Sequence, residues 1–213
     1  MIVAIDGPAG SGKTTVAKLL AEKTGIFYLD TGATYRALTL KALEEGADLD
    51  NEEVLREIAE NLNFQIKEGR FYLDDKDVSD QIRTPLIDKS ISAVVCHPGV
   101  REVMVNLQRN IVRGKDCVVE GRDTTTIVFP DADYKFFLDA NPSTRSRRRF
   151  SEMKGKKLKV SFDEVKNDLE RRDHADLSRV SGPLRRSEDA FYLDTSDLAV
   201  EEVVSFLAKR INR

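Results

Sequence analysis

Ile2-Val3-Ala4-Ile5-Asp6-Gly7-Pro8-Ala9-Gly10-Ser11-Gly12-Lys13-Thr14-Thr15 is the stretch on which the fold turns. Its first part is a short β-branched run, the pattern of a strand buried on both faces. Its second part matches G-x-x-x-x-G-K-[ST] in full, and Val16, Ala17, Leu19 and Leu20 then continue at helical spacing until Gly25. Strand, glycine-rich loop and helix in this order form a phosphate cradle. Glycines let backbone N–H groups converge on phosphate oxygens, and the helix start presents its positive end. Lys13 is the residue that reaches the β and γ phosphates, and the Thr14 hydroxyl can ligate Mg²⁺. Gly7, Pro8, Ala9, Gly10, Ser11, Gly12, Lys13, Thr14 and Thr15 are therefore the expected nucleoside triphosphate site. The motif says nothing about the acceptor.

Working outward from the loop, residues 26–29 predict a second strand. A helix over 33–45 closed by Gly46 follows, then a helix from Asn51 to about residue 62. Alternation of this kind predicts an α/β chain with a central parallel sheet flanked by helices. Between residues 64 and 78 the pattern changes: Phe64-Gln65-Ile66 and Phe71-Tyr72-Leu73 flank Glu68-Gly69-Arg70, a hairpin signal that marks a small β-containing insertion. Helical patterns over 87–95 and 100–112 lead to strands at 117–119 and 134–138, and to a basic helix over 142–154. A lysine-rich turn spans 154–159. A helix over 162–172 then gives way to an irregular stretch ending near residue 183, a strand at 191–193 and a helix over 200–211.

The chain has 213 residues, 33% of them charged, and a formal net charge of -3. Such a balance does not predict a nucleic-acid coat protein. Without a basic leader or an apolar run near ~20 residues, the expected address is the cytoplasm, with no membrane partner. Cys96 and Cys117, each in or beside an apolar run, read as buried structural thiols. His97 and His174 sit in no metal-ligand spacing. A guanine-nucleotide switch would carry Asp-x-x-Gly and Asn-Lys-x-Asp, and neither occurs.

Three charged clusters fall where an acceptor would bind. Asp30-Thr31-Gly32-Ala33-Thr34-Tyr35-Arg36 follows the second strand, at the carboxyl end of the expected sheet, where open α/β sheets take their ligands. Taken alone, it could be an N-cap Thr31 and a solvated Arg36. Glu120-Gly121-Arg122-Asp123 ends another apolar strand at the same edge. Arg172-Asp173-His174-Ala175-Asp176-Leu177-Ser178-Arg179 places two Arg and two Asp in the segment after a helix. Arg145-Ser146-Arg147-Arg148-Arg149, with Lys154, Lys156, Lys157 and Lys159, is either a surface basic helix, an RNA-contacting patch, or a set of cations for a transferring phosphoryl group.

With these residues assembled, the sequence resembles the bacterial cytidylate kinases over essentially its whole length. The resemblance is carried by residues 7–15, Leu29-Asp30-Thr31-Gly32-Ala33, Tyr35-Arg36, Val78-Ser79, Ile82-Arg83-Thr84, Pro98 with Val100-Arg101, and Gly121-Arg122-Asp123. It continues through Val128-Phe129-Pro130-Asp131-Ala132, Arg148-Arg149, Arg172-Asp173 with Asp176 and Arg179, and Pro183-Leu184. It implies a single P-loop nucleoside-monophosphate-kinase domain with an acceptor-binding insertion over 61–84 and a helical LID with its hinges over 144–172. The reaction implied is transfer of the γ-phosphoryl group of ATP, with Mg²⁺, to CMP and dCMP; UMP or another small acceptor is the alternative. The expected state is a monomer without a nucleic-acid partner.

By the same resemblance Lys13, Arg148 and Arg149 are the catalytic cations, and Arg36, Arg122 and Arg179 hold the acceptor phosphate with Thr31 nearby. Arg172 and Asp176 lie near the ribose, and Ser92, Arg101 and Asp123 meet the base. One departure stands out: after Gly121-Arg122-Asp123 the family usually has an aliphatic residue, Gly and Thr, where this chain has Thr124-Thr125-Thr126. If the glycine position needs a positive φ, Thr125 is costly there and re-aims the loop.

Overall fold

The computed structural model describes residues 1–156 and 158–211, and the chain divides into two compact units. The first unit, Met1–Leu29 together with the chain from Gly114 onward, begins with β1 (Ile2–Asp6), α1 (Lys13–Thr24) and β2 (Phe27–Asp30). The second, Asp30–Arg113, holds α2 (Thr31–Glu44), α3 (Glu52–Glu60), β3 (Phe64–Lys67), β4 (Arg70–Leu73) and β5 (Lys76–Asp77). A 3₁₀ turn at Gln81–Arg83, α4 (Pro85–Val95) and α5 (Pro98–Val112) complete it. The chain then returns to the first unit through β6 (Cys117–Gly121), a π-helical turn at Thr124–Val128, and β7 (Tyr134–Asp139). α6 (Pro142–Gly155), α7 (Phe162–Ser178), β8 (Phe191–Asp194) and α8 (Val200–Arg210) follow.

The sheet of the first unit runs β2-β6-β1-β7-β8. β1 pairs in parallel with β6 and with β7, and β7 with β8. Val3, Ala4, Ile5, Cys117, Val118 and Val119 are wholly buried, which is why these strands read as continuous apolar runs. α1 and α8 cover the sheet with Val16, Leu20, Val203 and Leu207. Each such side chain contributes roughly 1.5–3 kcal/mol by leaving water. Because the strands share one direction, their carboxyl ends share one edge, and there β1 feeds Gly7, β6 feeds Arg122, and β8 feeds Thr195.

In the second unit, β3, β4 and β5 form an antiparallel sheet. Glu68 and Gly69 turn the first hairpin with φ of 51° and 75°, and Asp74 and Asp75 turn the next with 49° and 62°. Positive φ at both central residues is what a two-residue hairpin needs. β5, two polar residues long, carries no periodic signal and was not among the expected strands. Leu38, Leu55, Phe64, Phe71, Ile82, Val94, Val100 and Met104 form this unit's core.

Two expectations are corrected. α7 does not stop at residue 172 but runs to Ser178, so the charged segment is helical. Its inward side there is polar: Asp173 meets Arg145 and Asp176 meets Arg122, both within ion-pair distance, so no apolar stripe announces the helix. Cys96 is exposed at the end of α4, its Sγ 3.1 Å from the Ala93 carbonyl; only Cys117 is buried, and burial pushes its thiol up to about 12. Lys157 lies outside the described residues. Among those described, no helix is long and apolar enough to cross a membrane.

Candidate active site

The phosphate loop is built by close approach. A Cβ on Gly7 would fall 2.0 Å from the Leu138 carbonyl oxygen, so β7 admits only glycine there. Gly12 caps α1 with φ of 88°, a conformation that side chains resist, and leaves the first helical N–H groups open. Lys13 is nearly buried and folds back across the loop, its Nζ donating to the Pro8 carbonyl at 3.1 Å.

Two arginines of α6 brace the loop. Arg145 donates through Nε to the Ala140 carbonyl at 3.0 Å, and through Nη1 to the Ala9 carbonyl at 3.1 Å and to Asp173 at 2.5 Å. Arg148 donates through Nη1 to the Ser11 carbonyl at 3.4 Å and the Thr195 hydroxyl at 3.1 Å, and through Nη2 to the Thr195 carbonyl at 2.5 Å. Ala9 packs with Val165 and Leu169 of α7, against Phe150 and Met153 of α6, so the basic helix pair rests on the loop. Arg149, by contrast, is held by Glu152 at 2.9 Å on its own helix.

A carboxylate stands beside the motif hydroxyl. Glu120, at the end of β6 and nearly buried, accepts from Thr14 Oγ1 at 2.7 Å and from Tyr28 at 3.3 Å. A hydroxyl and one carboxylate suit Mg²⁺, which takes few protein ligands and completes its shell with phosphate and water. Among the described residues no cluster of three or more His, Cys, Asp or Glu could hold a metal ion by itself. Thr14 and Glu120 thus fit one Mg²⁺ ion with few protein ligands.

Asp6, wholly buried, accepts three hydrogen bonds from the turn that follows Arg122 and Asp123. They come from the Thr124 N–H at 2.9 Å, the Thr125 N–H at 2.7 Å and the Thr125 hydroxyl at 2.7 Å. Burial raises the Asp6 carboxyl above its ordinary value, and these bonds oppose the shift. Thr125 is not among the residues with positive φ. The cost anticipated for a side chain at that glycine position is thus absent, and the hydroxyl adds a bond that glycine cannot make.

In the same unit Arg122 Nε meets Asp176 at 2.6 Å, and Arg179 lies 3.5 Å from the other Asp176 oxygen. Burial would raise the Asp176 carboxyl, but Arg122, Arg179 and the charge of Lys13 outweigh it and hold the group below the ordinary carboxylate range. Arg122 is correspondingly raised, burial being outweighed by Asp176. Asp123 is nearly buried at the head of the π-helical turn, and Arg172 lies 3.9 Å from Asp168.

The remaining expected residues lie in the second unit. Asp30, not Thr31, caps α2, accepting from the Ala33 N–H at 3.0 Å, and it pairs with Arg83 at 2.7 Å. Burial would raise Asp30, yet Arg83 and Arg36 hold it low. Arg36 is not a solvated surface group: it pairs with Asp88 at 2.6 Å and donates to the Ile82 carbonyl at 3.2 Å. Arg101 is buried over the Tyr35 ring at 5.4 Å, and Ser92 is exposed on α4. Asp6 and Thr195 carry no role in the sequence reading, and Arg145 and Asp173 enter it only as members of charged clusters. Their partners are far away along the chain, and only Glu120, charged at the end of an apolar strand, carried a local signal.

The sequence model described as cytidylate kinase matches residues 3–213. The chain belongs to the cytidylate kinase family. A cytidylate kinase of Caldanaerobacter subterraneus subsp. tengcongensis is 46% identical over 211 residues, covering 99% of this chain and 94% of that relative. The cytidylate kinase of Fusobacterium nucleatum is 43% identical over 213 residues, covering 100% and 98%. Among solved structures, the shikimate kinase of Bacteroides thetaiotaomicron matches with a TM-score of 0.51 at 14% identity, over 100% of this chain and 99% of that one. An uncharacterized protein from Eubacterium ventriosum matches at 0.56 and 16% identity, over 100% and 98%. These two likenesses bear on the fold, and the cytidylate kinase relatives on the family.

Proposed function

We propose that this chain is an ATP-dependent cytidylate kinase that moves the γ-phosphoryl group of ATP onto the phosphate of CMP or dCMP, giving ADP and CDP or dCDP. The observation that carries the reading is the family match over residues 3–213, in a chain whose phosphate loop is intact and braced. Lys13 and the loop N–H groups hold the triphosphate, and Thr14 with Glu120 would hold Mg²⁺. When bound, that ion supplies charge neutralisation on the phosphate oxygens.

The acceptor phosphate is already ionised, so no general base is required and catalysis is positioning plus electrostatics. The family resemblance assigns Arg36, Arg122 and Arg179 to that phosphate together with Thr31, and within its own unit each of the three arginines is held by a carboxylate or carbonyl. Arg172 and Asp176 serve the ribose. Arg148 and Arg149 neutralise the charge that develops on the transferring group, with 144–172 as a LID that excludes water. Residues 61–84 enlarge the acceptor region. The enzyme acts as a cytoplasmic monomer.

Base choice falls to Ser92, Arg101 and Asp123. Cytosine offers an N4 amino donor to the Asp123 carboxylate, where uracil would set a carbonyl lone pair against it. Asp123→Asn tests this. Its kcat/KM for CMP should fall and its CMP to UMP ratio narrow, at about 1–3 kcal/mol per mispaired buried group. An unchanged ratio would remove Asp123 from base recognition.

A further inference from the structure

Arg148 reaches the phosphate loop from α6, but it does not find its own position there. Its guanidinium makes two of its three hydrogen bonds to a single residue, Thr195: Nη1 to the hydroxyl at 3.1 Å and Nη2 to the carbonyl at 2.5 Å. Thr195, 2% exposed, follows β8 directly. Its N–H donates to the Asp139 carbonyl at 2.8 Å. Its hydroxyl proton is shared between that carbonyl at 2.9 Å and the Ser11 carbonyl at 3.0 Å. With the proton committed on that side, an oxygen lone pair is left to receive Arg148. One side chain thus joins the end of β7, the phosphate loop and the α6 arginine.

We propose that Thr195 is a positioning residue for phosphoryl transfer, fixing Arg148 over the phosphate loop by referring it to the rigid end of the sheet. The inference rests on the reading of Arg148 as a contact to the transferring group. A cation that stabilises developing charge must be aimed beforehand, because reorganising it at the moment of reaction cancels its benefit. A long arginine on a helix has many rotamers and gains this aim only from a fixed partner. The third bond, from Arg148 Nη1 to the Ser11 carbonyl at 3.4 Å, registers the same guanidinium against the loop that Thr195 holds. Neither the P-loop motif nor the arginine cluster signals Thr195, since Ser11 and Arg148 lie 184 and 47 residues away in sequence.

The test is a double-mutant cycle on the full-length enzyme with ATP–Mg²⁺ and CMP, with thermal melting on the same samples. Thr195→Val keeps the shape and removes the hydroxyl; it should lower kcat roughly tenfold while the KM for CMP stays within about twofold. Thr195→Ser should keep nearly all activity. Placed in an Arg148→Ala background, Thr195→Val should change kcat less than about twofold, because the group it positions is gone. Thr195→Ala gives the same pattern if the valine variant does not fold. Equal losses in both backgrounds overturn the positioning role and make Thr195 a general support of the loop. If Arg148→Ala itself leaves kcat unchanged, the reading of Arg148 fails and takes the role of Thr195 with it, a result separable from the first because it appears without any change at 195.

Discussion

Arg145→Ala is the perturbation whose cost the structure specifies best. The side chain is 9% exposed and its partner Asp173 is 19% exposed. Removing the guanidinium strands that carboxylate, whose Oδ1 already lacks a hydrogen-bond partner among the described residues, and frees the Ala9 and Ala140 carbonyls at the root of the loop. Removing one member of a buried pair costs about 3–5 kcal/mol, and the solvent that reaches Asp173 places this pair near the lower end, at about 3 kcal/mol. For a chain of this size that is roughly 6–12 °C in Tm. The loop, no longer held at Ala9, should bind ATP more weakly, with the KM for ATP raised more than that for CMP. Thermal melting by circular dichroism reads the first effect and steady-state kinetics the second. Arg145→Ala/Asp173→Ala should recover part of the loss, since the stranded charge goes with its partner. A variant melting within about 2 °C of wild type, or a double variant no more stable than the single, would refute the brace.

Three further outcomes follow from the same geometry. Glu120→Gln should raise the Mg²⁺ concentration needed for half-maximal rate, and chelation with EDTA should abolish turnover without unfolding; an unaltered Mg²⁺ dependence would remove Glu120 from the metal site. Thr125→Val should cost about 1.5–3 kcal/mol by deleting one of three bonds to the buried Asp6 carboxylate, read as a lowered Tm, whereas Thr125→Ser should restore it. Asp176 has a depressed carboxyl, so its contribution to stability is present above the unfolded value near ~3.9 and is lost as pH falls through the lower folded value. Asp176→Asn should therefore show a shallower loss of Tm below about pH 4 than wild type, and equal slopes would count against the pair.

How much of this was legible in the sequence depended on where each partner lay. The phosphate loop and its flanking strand and helix are contiguous, so one motif carried them. The buried strands read as apolar runs because the sheet is covered by helices. The end of α7 is hidden in the sequence because its inward residues, Asp173 and Asp176, are charged and pair with arginines from elsewhere in the chain. Cys96 reads as buried from its neighbours, but that apolar run, Val94 and Val95, belongs to the inward side of α4, while Cys96 stands exposed at its cap. For the acceptor side, the resemblance supplied roles that spacing alone did not: nothing in the sequence links Ser92 to Arg101. Glu120 and Thr14 are 106 residues apart, and only the register of β1 with β6 brings them together. The cost expected at Thr125 presumes a positive φ that the turn does not adopt. Here its backbone and hydroxyl both serve Asp6 instead.

Acceptor choice is read by one panel: CMP, dCMP, UMP and AMP offered separately at fixed ATP–Mg²⁺, with ADP release and the product diphosphate both measured. CMP and dCMP should be the preferred acceptors, with CDP or dCDP formed one for one with ADP. Equal kcat/KM for UMP, or ADP release that no monophosphate stimulates, would contradict this expectation.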